Sequence, residues 1–315
     1  MVMLLDPELL DYYKPPMIND RKFLKMQGLG NDFVVLDARK DSFDIEIVEI
    51  QAISDRNIGI GCDQILVLKN SERADVFMQI YNSDGTESGA CGNGARCVAQ
   101  HMMKELGRDN ITIETQAGVL ESFDGGEGML TVDMGLARTE WQEIPLSEER
   151  DTLHLDIEIA DESDPEGDPL LWDPAAVNVG NPHLVFLVKN PDVVDLKKIG
   201  PLLEHSKLFP EGVNVSLAKV TGDDTIKLRV WERGAGETLA CGSAACAALV
   251  ISARIGATGR SAVVDLPGGP VGVNWRDDGH VLLSGSAHTV YEGTLDMKSI
   301  LLGFMEKLAS KGEGN

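Results

Sequence analysis

The sequence lacks the long apolar segments that would place it in a membrane or direct it out of the cell. No stretch approaches the roughly 20 apolar residues of a transmembrane helix. The opening residues, MVMLLDPELLDYYKPP, have no basic segment before their short apolar run, so we expect neither a signal peptide nor a membrane anchor. The expected location is therefore the cytoplasm, where thiols stay reduced.

Basic residues are few relative to acidic ones. The chain has 28 Lys and Arg against 51 Asp and Glu, a formal net charge of −23 at pH 7. Repulsion at this charge opposes the approach of nucleic acid and of an anionic membrane surface, so neither is expected as a partner. Residues 143–168 hold eleven acidic residues and are interpreted as a solvated surface insertion.

Cysteine spacing excludes two further kinds of site. The five cysteines are odd in number and none are spaced C-x-x-C, which fits neither a disulfide framework nor a common zinc site, so no metal is expected. The stretch GLGNDF lacks the third glycine of the dinucleotide-binding motif. At 315 residues with 43% hydrophobic residues, the chain is still long enough for two domains with their own cores.

Two of the cysteines lie in a phrase that the chain repeats. Residues 87–97 read ESGACGNGARC and residues 237–247 read ETLACGSAACA, so that 150 residues separate Cys91 from Cys241. The same offset relates three further pairs: Gly30-Asn31 with Gly180-Asn181, Gln64 with Asn214, and Tyr81-Asn82 with Trp231-Glu232. Because a chance match would not keep one offset, the sequence predicts two homologous halves.

Each half is predicted to form an α/β domain with the same order of elements. A strand with the Gly-Asn leads to a helix, near residues 44–54 and 194–205, and then to two strands. The cysteine phrase opens a second helix, near residues 92–106 and 242–255, which stops at a glycine and precedes more strands.

The last helix of this pattern indicates how the halves are built. ACGSAACAALVISARIG is small and apolar on nearly all sides, which favours a helix wrapped by sheet. The domain boundary is predicted near Gly135, with domains at residues 1–135 and 136–286. Residues 287–315 are expected to return to the first domain, because the second half is complete without them.

A cysteine at a helix start is set up for acid–base chemistry. The unpaired N–H groups and the partial positive charge there stabilise a thiolate, so we expect a lowered thiol pKa. The same N–H groups hold a carboxylate. If the halves face each other, one thiolate can remove a proton from a carbon while the opposite thiol delivers one to the other face, which inverts a stereocentre.

The chain resembles a known family at these residues. GLGNDFVVLD, GCDQILVL, YNSDGTESGACGNGARC, VGNPH, EGVN and WERGAGETLACGS are similar to the motifs of the diaminopimelate epimerases, over about residues 23–293. The resemblance implies a cofactor-independent isomerase that interconverts LL- and meso-diaminopimelate for lysine and peptidoglycan precursors. It also implies an α/β (α+β) fold of two pseudo-symmetric domains, each a curled, mostly antiparallel sheet around a central helix, and a homodimer.

The resemblance implies roles for individual residues. Cys91 resembles the proton donor and Cys241 the acceptor in the LL-to-meso direction, while His183 and Glu232 resemble residues that assist catalysis. The implied substrate contacts are the side chains of Asn31, Gln64, Asn82, Asn181, Asn214, Glu232 and Arg233, and the backbone of Gly92, Asn93, Gly242 and Ser243. Tyr291 matches a tyrosine linked to the dimer.

Other interpretations remain open on the sequence. A proline or hydroxyproline racemase would use the same architecture, a binding protein could keep the fold without catalysis, and a thiol peptidase would need only one cysteine. Cys91 and Cys241 could instead form a disulfide, and Asn31 and Asn181 could be turn residues. Glu232 and Arg233 could be a surface pair. The other three cysteines, Cys62, Cys97 and Cys246, are expected to be buried.

Overall fold

The computed structural model describes residues 20–161, 164 and 167–312. The first nineteen residues, to which we assign no role, lie outside the described residues, as do residues 162, 163, 165 and 166 of the acidic insertion. No helix in the described ranges is long and apolar enough to cross a membrane.

The elements follow the predicted order in both halves. The first half contains β1 (Lys22–Gly28), β2 (Asn31–Asp37), α1 (Ile47–Ser54), β3 (Gln64–Lys69), β4 (Val76–Asn82), β5 (Glu87–Ser88), α2 (Gly92–Leu106), β6 (Asn110–Thr115), β7 (Gly118–Gly126) and β8 (Met129–Leu136). The rest contains β9 (Glu158–Ile159), β10 (Leu171–Trp172), β11 (Ala175–Asn178), β12 (Pro182–Leu187), a 3-10 turn (Pro191–Val193), α3 (Leu196–Glu204), β13 (Asn214–Gly222), β14 (Thr225–Glu232), β15 (Gly236–Thr238), α4 (Gly242–Arg254), β16 (Ser261–Leu266), β17 (Gly269–Trp275), β18 (His280–Ser286), β19 (His288–Thr294) and α5 (Met297–Gly312).

Strand pairing repeats with the spacing seen in the sequence. β2 and β3 are parallel with Phe33 opposite Gln64, and β12 and β13 are parallel with His183 opposite Asn214, each partner 150 residues later. β3–β4 and β13–β14 are both antiparallel. The duplication is therefore present in the register of the sheet as well as in the motifs.

A central helix fills each half. Helix α4 is buried continuously from Ala244 to Ser252 and packs against strands β11–β14 and β16–β18, as its small apolar sequence predicts. Helix α2 packs in the same way against β1, β2 and β6–β8. Only α1 departs visibly from its predicted bounds: it starts at Ile47 rather than near Asp44, because Glu46 and Glu49 form a capping box there.

The halves join where β8 pairs with β18, with Val132 opposite Leu283. Leu283 is fully buried and lies beneath the starts of both central helices. A Cβ built on Gly92 would approach the Leu283 Cδ2 atom to 3.2 Å, and one built on Gly242 would approach it to 2.5 Å. Glycine at both positions therefore lets two helix N-termini pack against one side chain.

The end of the chain contacts the first half. β19 pairs with β1, and α5 packs against α1, with Leu301 and Phe304 in the same cluster as Phe23. These contacts support the predicted division at residues 1–135 and 136–286 with 287–315 returning, which we retain as a proposal.

Leu283→Ala is expected to lower the free energy of unfolding by about 3 kcal/mol, because the cavity would lie under both helix starts. Leu282→Ala, one residue away and only partly buried, is the matched control and should cost less than half as much. Urea denaturation followed by circular dichroism measures both. Equal costs for the two variants would contradict the placement of Leu283 beneath the two helices.

Candidate active site

Each of the repeated cysteines is the N-cap of a central helix. The Cys91 Sγ atom accepts from the Gly94 N–H at 3.3 Å at the start of α2. Cys241 caps α4, with its Sγ atom 3.5 Å from the Ser243 hydroxyl and a hydrogen bond to Glu232. Both sulfurs thus lie beside unpaired first-turn N–H groups, which favour anions.

The two helix starts are neighbours, and the space between them is called the cleft below. The Asn93 amide, in the first turn of α2, lies 3.5 Å from the carbonyl oxygen of Ala240, the residue before Cys241. The charge of Glu232, which is bonded to Cys241, also acts on Cys91. The structure therefore brings together the two cysteines that the repeat singled out.

Predicted site residues of the first half line one end of its sheet. Asn31 and Gln64 begin the parallel strands β2 and β3, and Asn82 ends β4 opposite Gln64. The Gln64 amide donates to Asn82 Oδ1 at 2.9 Å. Asn31 Oδ1 lies 3.9 Å from the Cys91 sulfur and 3.2 Å from the Asn93 Nδ2 atom. Parallel strand starts and one antiparallel strand end place these amides side by side.

The second half repeats this placement with different partners. Asn214 begins β13 and Glu232 ends β14. The Asn214 Oδ1 atom accepts from the Arg233 backbone N–H at 3.0 Å. The Glu232 carboxylate accepts from the Thr238 hydroxyl, and the Arg233 guanidinium donates to the Glu211 carbonyl at 2.8 Å. Glu232 is held inward by these contacts and is not a solvated surface group.

The Gly-Asn turns depend on glycine. Gly30 has φ +80° and Gly180 has φ +102°, backbone conformations that favour glycine. Each turn places its asparagine at a strand start on the same end of its sheet as the neighbouring cysteine helix. A turn role and a site role are therefore compatible for Asn31 and Asn181.

Asn31 and Asn181 are held by opposite ends of their amides. Asn31 donates its Nδ2–H to Asp63 at 2.9 Å, which leaves its oxygen facing Cys91 and Asn93. Asn181 has its oxygen 2.8 Å from the His183 Nε2 atom. The oxygen of Asn31 therefore accepts from Asn93 of the first cysteine helix, whereas the oxygen of Asn181 contacts a histidine of its own strand.

Asp63 is itself fixed by a network of charges. Arg56 bridges Asp32 and Asp63, at 2.7 and 2.6 Å, and Lys25 pairs with Asp32. Burial acts to raise the pKa of Asp32, but hydrogen bonds from Arg56 and Lys25 outweigh it and lower that pKa to about 2. Asp63 belongs to the GCDQILVL motif, but its hydrogen bond to Asn31 was not predicted, because the sequence does not show which way a side chain points.

Burial dominates the thiols and reverses the expected pKa shift. It raises the pKa of Cys91 to about 11, although the Gly94 N–H acts in the opposite direction. Burial also raises the pKa of Cys241, with the negative charge of Glu232 adding to the effect, and burial raises the pKa of Glu232. The prediction of lowered thiol pKa values was wrong, because desolvation of the thiolate outweighs the helix N–H groups.

All five cysteines are free thiols, and Cys62, Cys97 and Cys246 are buried as predicted. Within the described residues, no group of three or more His, Cys, Asp or Glu side chains could hold a metal ion. Besides Asp63, three residues of the site were not predicted by sequence reasoning: Thr238, which donates a hydrogen bond to Glu232, Leu283, which supports both helices, and the buried Arg96 of α2.

Comparison with known proteins identifies the family of this chain. A family model described as diaminopimelate epimerase matches residues 23–140 and 175–290. The chain is 49% identical to a diaminopimelate epimerase of Rhodospirillum centenum over 277 residues, 87% of this chain and 92% of the relative. It is 47% identical to that of Acidiphilium cryptum, over 88% of this chain and 96% of the relative.

The chain belongs to the diaminopimelate epimerase family. The family and the enzyme class expected from the sequence, an isomerase, are therefore confirmed, and the fold class is confirmed by the sheet-rich, repeated architecture. Both halves of the match fall on the repeated segments, which leaves the acidic insertion between them outside the family pattern.

Solved structures show that this fold is shared more widely than the family. A hydroxyproline epimerase from Agrobacterium vitis matches with a TM-score of 0.62 at 15% identity, over 88% of this chain and 93% of that one. A PhzF-family phenazine biosynthesis protein from Enterococcus faecalis matches with a TM-score of 0.62 at 14% identity, over 88% and 99%. At these identities the likeness concerns the fold alone.

His183 is fully buried, and burial lowers its pKa to about 3. In the unfolded chain this histidine has its ordinary pKa of 6.5. Between about pH 6.5 and pH 3 it is therefore protonated in the unfolded chain and neutral in the folded protein. Stability from the neutral ring is present above pH 6.5 and falls by about 1.4 kcal/mol per pH unit as pH drops.

His183→Gln is expected to flatten this pH dependence between pH 6.5 and 4, and the exposed His288→Gln should keep the wild-type slope. Chemical denaturation at a series of pH values gives the slopes. A slope in His183→Gln as steep as in the wild type would show that folding does not lower the pKa of this histidine.

Proposed function

We propose that this protein interconverts LL- and meso-diaminopimelate without a cofactor, with one of Cys91 and Cys241 removing the α-proton and the other delivering a proton to the opposite face. The family match supports the substrate, because the Rhodospirillum and Acidiphilium relatives are both named for that activity. One observation supports the mechanism: two cysteine-capped helix starts rest on one leucine and are bridged by Asn93.

The proton transfer balances without any other reactant. The thiolate on one side takes the α-proton and becomes a thiol, while the thiol on the other side gives its proton to the opposite face and becomes a thiolate. In the LL-to-meso direction we assign Cys241 as acceptor and Cys91 as donor, and the reverse reaction exchanges these roles. Each turnover leaves the enzyme ready for the product isomer.

Helix N-termini supply the stabilisation that an α-carbanion needs. As the proton leaves, negative charge spreads onto the adjacent carboxylate, and the N–H groups of Gly92, Asn93, Gly242 and Ser243 are the donors we assign to it. Fixed donors in a cleft that excludes water stabilise this charge more than water does. Glycines at the first helical positions serve packing, because a Cβ on either Gly92 or Gly242 would meet Leu283.

Burial of the thiols has two effects that oppose each other. A raised pKa makes each thiolate a stronger base toward the weakly acidic α-carbon. The same shift leaves little thiolate at neutral pH, since the pKa of Cys91 is about 11. The substrate carries a positive charge on its ammonium group. We propose that Glu232, which is hydrogen-bonded to Cys241, binds this ammonium group. The ammonium then neutralises the Glu232 charge, which together with burial raises the pKa of Cys241.

The amide groups serve a substrate with two amino-acid ends. Amides both donate and accept hydrogen bonds, and a Glu–Arg pair complements an ammonium and a carboxylate. We assign substrate contacts to Asn31, Gln64, Asn82, Asn181, Asn214, Glu232 and Arg233. His183 is assigned an assisting role as a neutral ring that orients Asn181, because its Nε2 atom contacts that amide.

Cys91→Ser and Cys241→Ser are each expected to lower the rate of epimerisation at least about 100-fold, since a serine hydroxyl is a far weaker acid and base than a thiol. Proton NMR in D₂O follows exchange at the α-carbon and inversion together. Cys62→Ala is the matched control, because Cys62 is buried against Ser54 away from the cleft, and its rate should stay within about twofold of the wild type.

The same assay separates the remaining alternatives. Wild-type protein should exchange the α-proton of LL-diaminopimelate and not that of proline. Exchange into proline would favour the proline racemase alternative, and binding without any exchange in the wild type would favour a binding protein. Full activity in either serine variant would contradict the two-cysteine mechanism.

We propose that the protein is a cytoplasmic homodimer that pairs through β19. In the described part of the chain this strand pairs on one side only, with β1, and its Val290 and Tyr291 are 57% and 46% exposed. The Tyr291 ring packs edge-on against Phe23, with centroids 6.0 Å apart, which fixes it at this sheet edge. An exposed apolar edge strand is a ready template for a second copy.

Tyr291→Asp is expected to shift the protein from dimer to monomer at micromolar concentration, because two charges would meet across a two-fold interface. Light scattering after size-exclusion chromatography measures the mass. Leu202→Asp is the control, because Leu202 is also an exposed apolar residue (67%) but lies on α3, and this variant should remain dimeric. A monomeric wild type, or a dimeric Tyr291→Asp, would contradict this interface.

A further inference from the structure

Arg96 is a buried cation that the proposed reaction does not yet use. It lies in α2, five residues after Cys91, and its side chain is 0% exposed. Its Nη2 atom donates to Asn93 Oδ1 at 2.7 Å. The Nε and Nη1 atoms have no hydrogen-bond partner among the residues that the structure describes. An arginine stays charged when buried, so this arrangement carries a cost that needs a reason.

The surrounding strands leave space that only this side chain fills. A Cβ built on Gly285 of β18 would lie 3.0 Å from the guanidinium carbon, and one on Gly28 of β1 would lie 3.5 Å from Nη2. The glycine at position 285 therefore makes room for the guanidinium, whereas the distance at Gly28 is an ordinary contact. A smaller apolar residue would leave a cavity at the junction of the two halves.

The second half has no equivalent charge. The duplication offset of 150 residues relates Arg96 to Cys246 of α4, and these two residues lie close enough for the guanidinium to act on the Cys246 thiol. The two equivalent positions thus meet near the pseudo-two-fold axis, and only the first half supplies a cation. The site is symmetric in its cysteines and asymmetric in its buried charge.

The ionisable groups that face Arg96 are thiols. Cys91 and Cys97 act on it from its own helix and Cys246 acts from α4. From across the cleft, the Glu232 carboxylate of β14 acts on both catalytic thiols and opposes ionisation of each. Arg96 acts in the opposite sense on Cys91 and favours ionisation of that thiol.

Arg96 also fixes the amide between the two helix starts. Because the guanidinium occupies the Asn93 oxygen, the Asn93 Nδ2 atom must face the other way, toward Asn31 Oδ1 at 3.2 Å and Ala240 O at 3.5 Å. The hydrogen-bond chain therefore runs from Arg96 through Asn93 to Asn31, which lies beside the Cys91 sulfur.

We propose that Arg96 is a positioning residue that makes the two pseudo-symmetric thiols unequal, so that the thiolate of the free enzyme forms at Cys91 in preference to Cys241. A thiolate at Cys91 is the counter-ion that the buried guanidinium lacks. Of the thiolate that the free enzyme contains, most is then in the form that accepts a proton from the meso isomer. This inference rests on the proposed function, because it takes both cysteines to be catalytic.

Thiol ionisation can be measured without substrate or turnover, so the test is separate from that of the proposed function. Iodoacetamide alkylation of Cys91 and Cys241 is followed from about pH 7 to about pH 12 by mass spectrometry of the two peptides, with circular dichroism to check that the protein stays folded. The pH midpoint of each rate is read, or a lower limit of about 12 where the rate is still rising at the highest pH. The midpoint, unlike the absolute rate, does not depend on how accessible each sulfur is. In the wild type, the Cys91 midpoint should lie at least about one pH unit below that of Cys241, a tenfold difference in thiolate.

In Arg96→Met the Cys91 midpoint should rise by at least about one unit while that of Cys241 moves by less than half as much, and Arg96→Lys should restore most of the difference by restoring charge. Cys246→Ala changes packing beside the guanidinium without changing charge, and should leave both midpoints in place.

Equal midpoints in the wild type, or a lower one at Cys241, would overturn the proposal even if Arg96→Met failed to fold. An unchanged Cys91 midpoint in folded Arg96→Met would overturn it as well. Failure of the proposed function would be seen in a different measurement, as full activity in Cys91→Ser, and does not depend on these midpoints.

Discussion

Two helix N-termini packed against one buried leucine set the conditions for everything else in this site. Gly92 and Gly242 permit the approach to Leu283, and each helix begins at a cysteine, so the approach brings two thiols into one desolvated cleft. Desolvation then determines their chemistry. It raises the pKa of Cys91 to about 11, which makes each thiolate a strong base but a scarce one. The polar groups around the cleft serve to supply charge where the reaction needs it.

The duplicated backbone is symmetric, but its charged side chains are not. The reaction needs both the symmetry and the asymmetry. Inversion of a stereocentre requires equivalent groups on opposite faces, which the repeat provides. A substrate with an ammonium and a carboxylate on one carbon requires different groups around them. Asp63 and His183 contact the two equivalent asparagines at opposite ends of their amides. In the duplication, Glu232 corresponds to the amide Asn82, and Arg96 corresponds to Cys246. Symmetry therefore resides in the backbone and the cysteines, and specificity resides in the side chains that differ.

Much of this was predictable from sequence because a duplication doubles every signal. The offset of 150 residues located both cysteines, both Gly-Asn turns and the polar strand ends, and the glycine after α2 marked where that helix stops. What could not be predicted depends on three-dimensional packing. The helix N-terminus suggested a lowered thiol pKa, but the extent of burial that reverses it depends on how the halves close. Arg96 and Asp63 are part of the sequence motifs. Their burial, their hydrogen-bond partners and the orientation of the asparagine amides that they contact follow only from the fold.

The central claim is that both sulfurs face one substrate carbon from opposite sides. A crystal structure of the protein with a non-reactive diaminopimelate analogue measures this most directly. We predict the Cys91 and Cys241 sulfurs at about 3.5 Å from the α-carbon on its two faces, with the carboxylate at the starts of α2 and α4. An analogue bound elsewhere, or bound with only one sulfur near the α-carbon, would contradict it.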